Sequence, residues 1–80
     1  MPDAKPRAVK RSYKDQRELD LLPGVIEALE AEIEQLQAAL AEPDLYRDAP
    51  HKVAELNARH AQVEAELADA YSRWEALEGQ

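Results

Sequence analysis

The sequence contains no cysteine and no phenylalanine, and it has only two glycines, one tryptophan and three tyrosines. Without cysteine there can be neither a disulfide framework nor a thiolate metal site, a composition that fits a reducing compartment. With so few aromatics, and with 15 alanines among its hydrophobic residues, the chain of 80 residues has little large apolar side chain to fill an enclosed core. That argues against a folded enzyme of ordinary kind. No apolar run approaches the ~20 residues needed to cross a bilayer. The first residues also lack the apolar centre of a signal peptide, so no membrane partner and a cytoplasmic location are expected.

What is abundant is helix-forming and charged. Alanine, glutamate, lysine, leucine and arginine together make 46 of the 80 residues, the composition of long helices in a coiled coil, which effectively excludes an all-β or α/β domain. The net charge of −7 conceals two unlike regions. Residues 1–17 carry six basic side chains against Asp3 and Asp15, whereas residues 18–80 carry four basic against fifteen acidic. The chain is thus a cationic arm on an acidic rod.

Residues 1–11 hold two prolines and almost nothing to bury, and are expected to form a flexible, disordered basic linker. Such an opening suits a C-terminal domain taken from a longer protein. Helix is expected from Ser12, whose hydroxyl at the N-cap and the Asp15 carboxylate three residues on can each bond a free backbone N–H. Leu19, Leu22, Ile26, Leu29, Ile33, Leu36 and Leu40 then recur with gaps of three and four, an unbroken heptad seam. Proline removes a helical hydrogen bond, so Leu22-Pro23-Gly24 is expected to be irregular: a kink, a 3₁₀ turn or a brief break.

The first helix is therefore placed at about 13–41. A turn follows at about 42–50, where two prolines and two aspartates cluster around a short helical turn at Asp44-Leu45-Tyr46. A second helix at about 51–78 carries its own seam: Val53, Leu56, His60, Val63, Leu67, Ala70, Trp74 and Leu77. Joined by so short a loop, the two should fold back as an antiparallel coiled-coil hairpin over residues 12–80, an all-α fold. The preferred register pairs Leu36 with His60, Leu29 with Leu67, Ile26 with Ala70, Leu22 with Trp74 and Leu19 with Leu77; a register one heptad shorter remains open. It places the large Trp74 beside the Leu22-Pro23 step, where a bent helix leaves room. A two-helix rod encloses no interior, so no small-molecule pocket is expected.

The run Ser12-Tyr13-Lys14-Asp15-Gln16-Arg17-Glu18-Leu19, the Leu22-Pro23 step, the Pro43-Asp44-Leu45-Tyr46 turn and the closing Arg73-Trp74-Glu75 occur in order at coiled-coil spacing. From Lys10 onward the chain resembles the C-terminal domain of Uup-type ATPases of the ABC-F group, soluble relatives of ABC transporters. The resemblance implies a coiled-coil hairpin that follows two ATP-binding cassettes in a cytoplasmic protein associated with DNA, DNA repair and the ribosome. It also implies that the tail supplies DNA binding, and that ATP and Mg²⁺ belong to the parent protein. The fragment itself has no G-x-x-x-x-G-K-[ST] loop, so no ATP site and no catalytic residue are expected within it.

The candidate nucleic-acid ligands are Lys5, Arg7, Lys10, Arg11, Tyr13, Lys14 and Arg17. Mobile cations suffice to contact phosphates of DNA, branched DNA included, or of structured RNA without reading sequence. Tyr13 is expected either to pack on the helix start or to stack on an unpaired base. The alternative function is a protein-interaction hairpin that docks onto the parent's ATPase cassettes or the ribosome, and the basic arm is then only a solvated linker. Glu27, Glu30, Glu32 and Glu34 read as a solvated face that repels nucleic acid from the shaft. Arg59 and Arg73, with mostly acidic or neutral sequence neighbours, are expected to matter little for binding. His60 and Glu64 stand one helical turn apart, but with no further histidine or cysteine beside them His60 reads as a core residue and no metal site is expected. Trp74 likewise reads as core.

Overall fold

The computed structural model describes residues 11–79, which form three helices: α1 Tyr13–Leu40, α2 Pro43–Asp48 and α3 Pro50–Glu78. The described residues contain no strand. Ser12 caps α1 as its sequence position demands, its side-chain oxygen accepting the Asp15 N–H at 3.0 Å. The Asp15 carboxylate does not complete the reciprocal half of that box; it turns to Arg73 of α3 instead, at 3.4 Å.

Pro23 lies inside α1, and the helix runs through it without a break or a 3₁₀ turn, two of the three forms expected at Leu22-Pro23-Gly24. Pro23 and Gly24 are both exposed, so water can replace the backbone bond that proline removes. Nothing lies within 4 Å of a Cβ added at Gly24. Gly24→Ala is therefore expected to stabilise the chain by about 0.5–1 kcal/mol, because alanine loses less backbone freedom in a helix interior. Chemical denaturation should record a higher midpoint with an unchanged slope; a lower midpoint would show that α1 needs the glycine's freedom there.

The turn region at 42–50 contains the short helical turn expected at Asp44-Leu45-Tyr46, extended to six residues as α2, and α3 begins at its last residue. Pro43 and Pro50 each occupy a first helical turn, of α2 and α3 respectively, where the missing N–H has no intrahelical partner to lose. Only Ala49, with φ −145° and ψ 62°, separates these two helices. Tyr46 then closes the corner by donating its hydroxyl to the Leu40 carbonyl at 2.7 Å, which satisfies one of the orphan acceptors at the end of α1.

Helices α1 and α3 lie against each other along their lengths and run in opposite directions. Glu18 near the start of α1 meets Arg73 near the end of α3, and Glu32 further along α1 meets Arg59 further back on α3. Every position of both seams is buried or half-buried. Leu22, Ile26, Ala70 and Leu77 form the core cluster, with Leu19, Leu29, Leu67 and Trp74 packed against it. Val63 and Leu77 are fully enclosed. His60 is on the seam but only half-buried, and both ring nitrogens face polar groups, Glu64 and Gln37, each at 3.5 Å.

The seam is flanked by two unlike rows. One holds two bidentate ion pairs: Arg73 with Glu18 at 2.7 and 3.0 Å, and Arg59 with Glu32 at 2.6 and 2.9 Å. The other holds Tyr71 donating to Glu30 at 2.7 Å, and Gln37 beside His60. Glu30 and Glu32 are thus committed across the hairpin and are not a merely solvated face.

The Glu18 and Glu32 carboxyls are held below the ordinary value of 4.5, chiefly by the arginine hydrogen bonds and further by the guanidinium charge and, for Glu18, by the Lys14 charge, against a desolvation that acts the other way. Because the folded value is the lower one, this stabilisation is present above the unfolded value and is lost as pH falls through the folded one. The melting temperature should therefore drop on acidification below pH 4.5, modestly because both pairs are exposed. The double variant Glu18→Gln, Glu32→Gln should flatten that part of the profile. An unaltered profile would show that the pairs contribute nothing to stability.

Candidate nucleic-acid interface

The start of α1 and the end of α3 meet at the open end of the hairpin. Arg11, the last residue of the expected flexible linker, is tied down there: its Nε donates to the Leu77 carbonyl at 2.8 Å, and its Nη1 donates to Gln16 Oε1 at 3.2 Å. Leu77 is in the last turn of α3, where carbonyls lack intrahelical partners, so a guanidinium suits the position both as donor and as cation. Lys5, Arg7 and Lys10 lie outside the described residues. Lys14 and Arg17 are exposed on the first turns of α1. Tyr13 is 80% exposed, so it does not pack on the helix start; its ring is open to solvent.

Arg73 acquires a role that its sequence neighbours did not suggest. It reaches across from α3 and binds Glu18 through two nitrogens, with Asp15 at 3.4 Å from one of them. The two acids that alternate with Lys14 and Arg17 along α1 thereby share one guanidinium from the other helix, so three cations stand against two carboxylates there. Among the described residues neither Lys14 nor Arg17 forms an ion pair. The signal was present in the sequence: Glu18 and Glu32 are fourteen residues apart, as are Arg59 and Arg73, so one antiparallel register brings both pairs together.

A second feature escaped the seam pattern. Leu21 is 58% exposed and Val25 46% exposed, and with Tyr13, Lys14 and Arg17 they line one continuous, largely apolar surface of α1. Leu22 and the Arg73-bound Glu18 form its inner edge. Apolar residues off the heptad seam were the signal for it.

Residues 10–79 match the family described as the ABC transporter C-terminal domain. The chain belongs to that family. Among curated proteins it is 46% identical over 76 residues to the "ATP-binding protein Uup-like" of Haemophilus influenzae, covering 94% of this chain and 16% of that protein. The "ATP-binding protein Uup" of the same organism is also 46% identical over 76 residues, with 94% and 12% covered. The Escherichia coli "ATP-binding protein Uup" is 41% identical over 80 residues, with 94% and 13% covered. The chain thus spans only a small part of these relatives' length. No solved structure matches it. The likeness to the C-terminal domain of Uup-type proteins rests on these relatives, and the domain itself carries no ATP-binding loop. Among the described residues no helix is long and apolar enough to cross a membrane, and no three metal-ligating side chains cluster.

Proposed function

We propose that this domain is a nucleic-acid-binding module that contacts DNA phosphates through the basic open end of the hairpin. The observation that carries this reading is the pairing of Arg73 with Glu18 and Asp15, which adds a third cation to Lys14 and Arg17 and leaves the open end with more positive than negative charge despite its two acids. Phosphates are bound by such cations without regard to base sequence. Arg11 keeps two nitrogens tied to Leu77 and Gln16, so it acts first as a strut for the site. Lys5, Arg7 and Lys10 precede Arg11 in the sequence and belong to the same proposed set of cations.

The shaft packs as an antiparallel coiled coil, supported by the two rows of cross-helix contacts on either side of the seam. In the longer ATP-binding proteins that this domain resembles, ATP and Mg²⁺ belong to segments outside these residues, and the module acts in the cytoplasm. Titration of the 80-residue chain with a fluorescent DNA duplex at two salt concentrations tests the proposal. Binding should be modest, indifferent to base sequence and steep in salt, with a log–log slope of about −0.9 for each phosphate contacted. Absence of binding at low salt would overturn it in favour of docking onto ATPase cassettes or the ribosome.

A further inference from the structure

From the exposed apolar surface beside Lys14 and Arg17 we infer that the module takes unpaired nucleotides in preference to duplex, with the bases lying on α1 and their phosphates on the two cations. This rests on the nucleic-acid reading above and names its substrate class. A duplex presents mainly phosphates and sugars to a helix lying outside its grooves, so two cations alone would serve it. Here the cations stand beside an exposed tyrosine ring and two exposed aliphatic side chains, Leu21 and Val25. A ligand that covers such a surface needs flat apolar faces next to negative charges, and unstacked bases on a sugar-phosphate strand supply both.

The dimensions agree. From Tyr13 to Val25 the surface runs roughly 18 Å at ~1.5 Å per residue, room for a few unstacked nucleotides of a single strand. Electrostatics select the same flank. Glu18 and Asp15 share the single guanidinium of Arg73, so with Lys14 and Arg17 this end keeps an excess of one positive charge. Of the acids left near this surface, Glu75 and Glu78 fall by heptad position on the opposite flank. Asp20 shares the heptad position of Tyr13, and Glu66 stands across from Val25 in the register that pairs Glu18 with Arg73 and Glu32 with Arg59, so the strand's phosphates are drawn to the Lys14 and Arg17 end. A strand lying over Tyr13, Leu21 and Val25 is therefore guided by Lys14 and Arg17 and kept from the acidic shaft. Tyr13 provides the aromatic platform, and Leu21 and Val25 continue it along the helix.

Fluorescence anisotropy on the 80-residue chain, at one salt concentration, should compare an oligothymidylate, a duplex of the same length and an abasic strand of the same length. The oligothymidylate is expected to bind about tenfold tighter than the other two. Tyr13→Ala should remove about tenfold of that affinity and Leu21→Ser about fivefold, with duplex affinity changed by less than about twofold. Both side chains are exposed, so circular dichroism should show intact helix in each variant. Equal binding of oligothymidylate and abasic strand, or equal losses on single strand and duplex, would overturn the inference while leaving phosphate binding standing. Unchanged oligothymidylate affinity in both variants would also overturn it and assign the surface to a protein partner. Binding of no probe by the intact chain would instead overturn the nucleic-acid reading beneath it.

Discussion

Leu77→Ala is expected to destabilise the hairpin by about 2–4 kcal/mol, a large share of the total available to a domain of this size. Leu77 is fully buried, it belongs to the core cluster at the open end, and Arg11 closes over its carbonyl. Truncation leaves a cavity that two helices joined at the far end cannot collapse easily. Thermal melting followed by circular dichroism should show a fall of roughly 10 °C or more. Leu29→Ala and Leu67→Ala, whose side chains are half-buried, should cost less. Leu21→Ala, at an exposed position, should lie within about 0.5 kcal/mol of the parent chain. If Leu77→Ala melts like Leu21→Ala, the open end is not sealed as the structure shows.

Replacing Lys14 and Arg17 together by glutamate should lower duplex affinity by about two orders of magnitude at ~50 mM salt, and should flatten the salt slope by about 1.8. The figure follows from losing two phosphate contacts, each of which releases about 0.9 of a counterion. Helix content should be unchanged, because neither residue is on the seam. Arg73→Glu is expected to weaken binding too, although Arg73 touches no phosphate in this scheme: it would free Asp15 and Glu18 to repel the strand and add a third acid. Arg59→Glu, at the other ion pair and away from the basic end, should leave affinity within about twofold. Equal losses from Arg59→Glu and Arg73→Glu would mean that overall charge governs binding.

Much of the shaft was legible in the sequence because a heptad seam is a local pattern. Leu19 to Leu40 and Val53 to Leu77 can be listed without knowing any tertiary contact, and all of them are buried or half-buried. One proline misled for a physical reason. Pro23 suggested a break, but it lies on the exposed side of a long helix whose opposite face is held by packing. Pro43 and Pro50 marked the turn region correctly, and the helical turn expected at Asp44-Leu45-Tyr46 is there, but it is longer because a proline entering the first turn starts a helix as readily as it ends one. Lys14 and Arg17 were legible as exposed cations. The commitment of Asp15 and Glu18 to Arg73 left only the trace of matched fourteen-residue spacings, because it is made by a register between residues more than fifty positions apart. Tyr13, Leu21 and Val25 form one surface only once α1 is known to continue through Pro23.

The bond from Arg11 to Leu77 also sets the mechanics of the molecule. It closes the open end of two helices already joined along their lengths, so α1 and α3 form a single lever whose far end is the α2 corner. A helix the length of α1 extends about 42 Å, and a rotation of roughly 10° at the Arg11 clasp would carry Tyr46 and Arg47 about 7 Å sideways. A small reorientation at the basic end is thereby amplified at the corner, while the contacts within the shaft stay as they are.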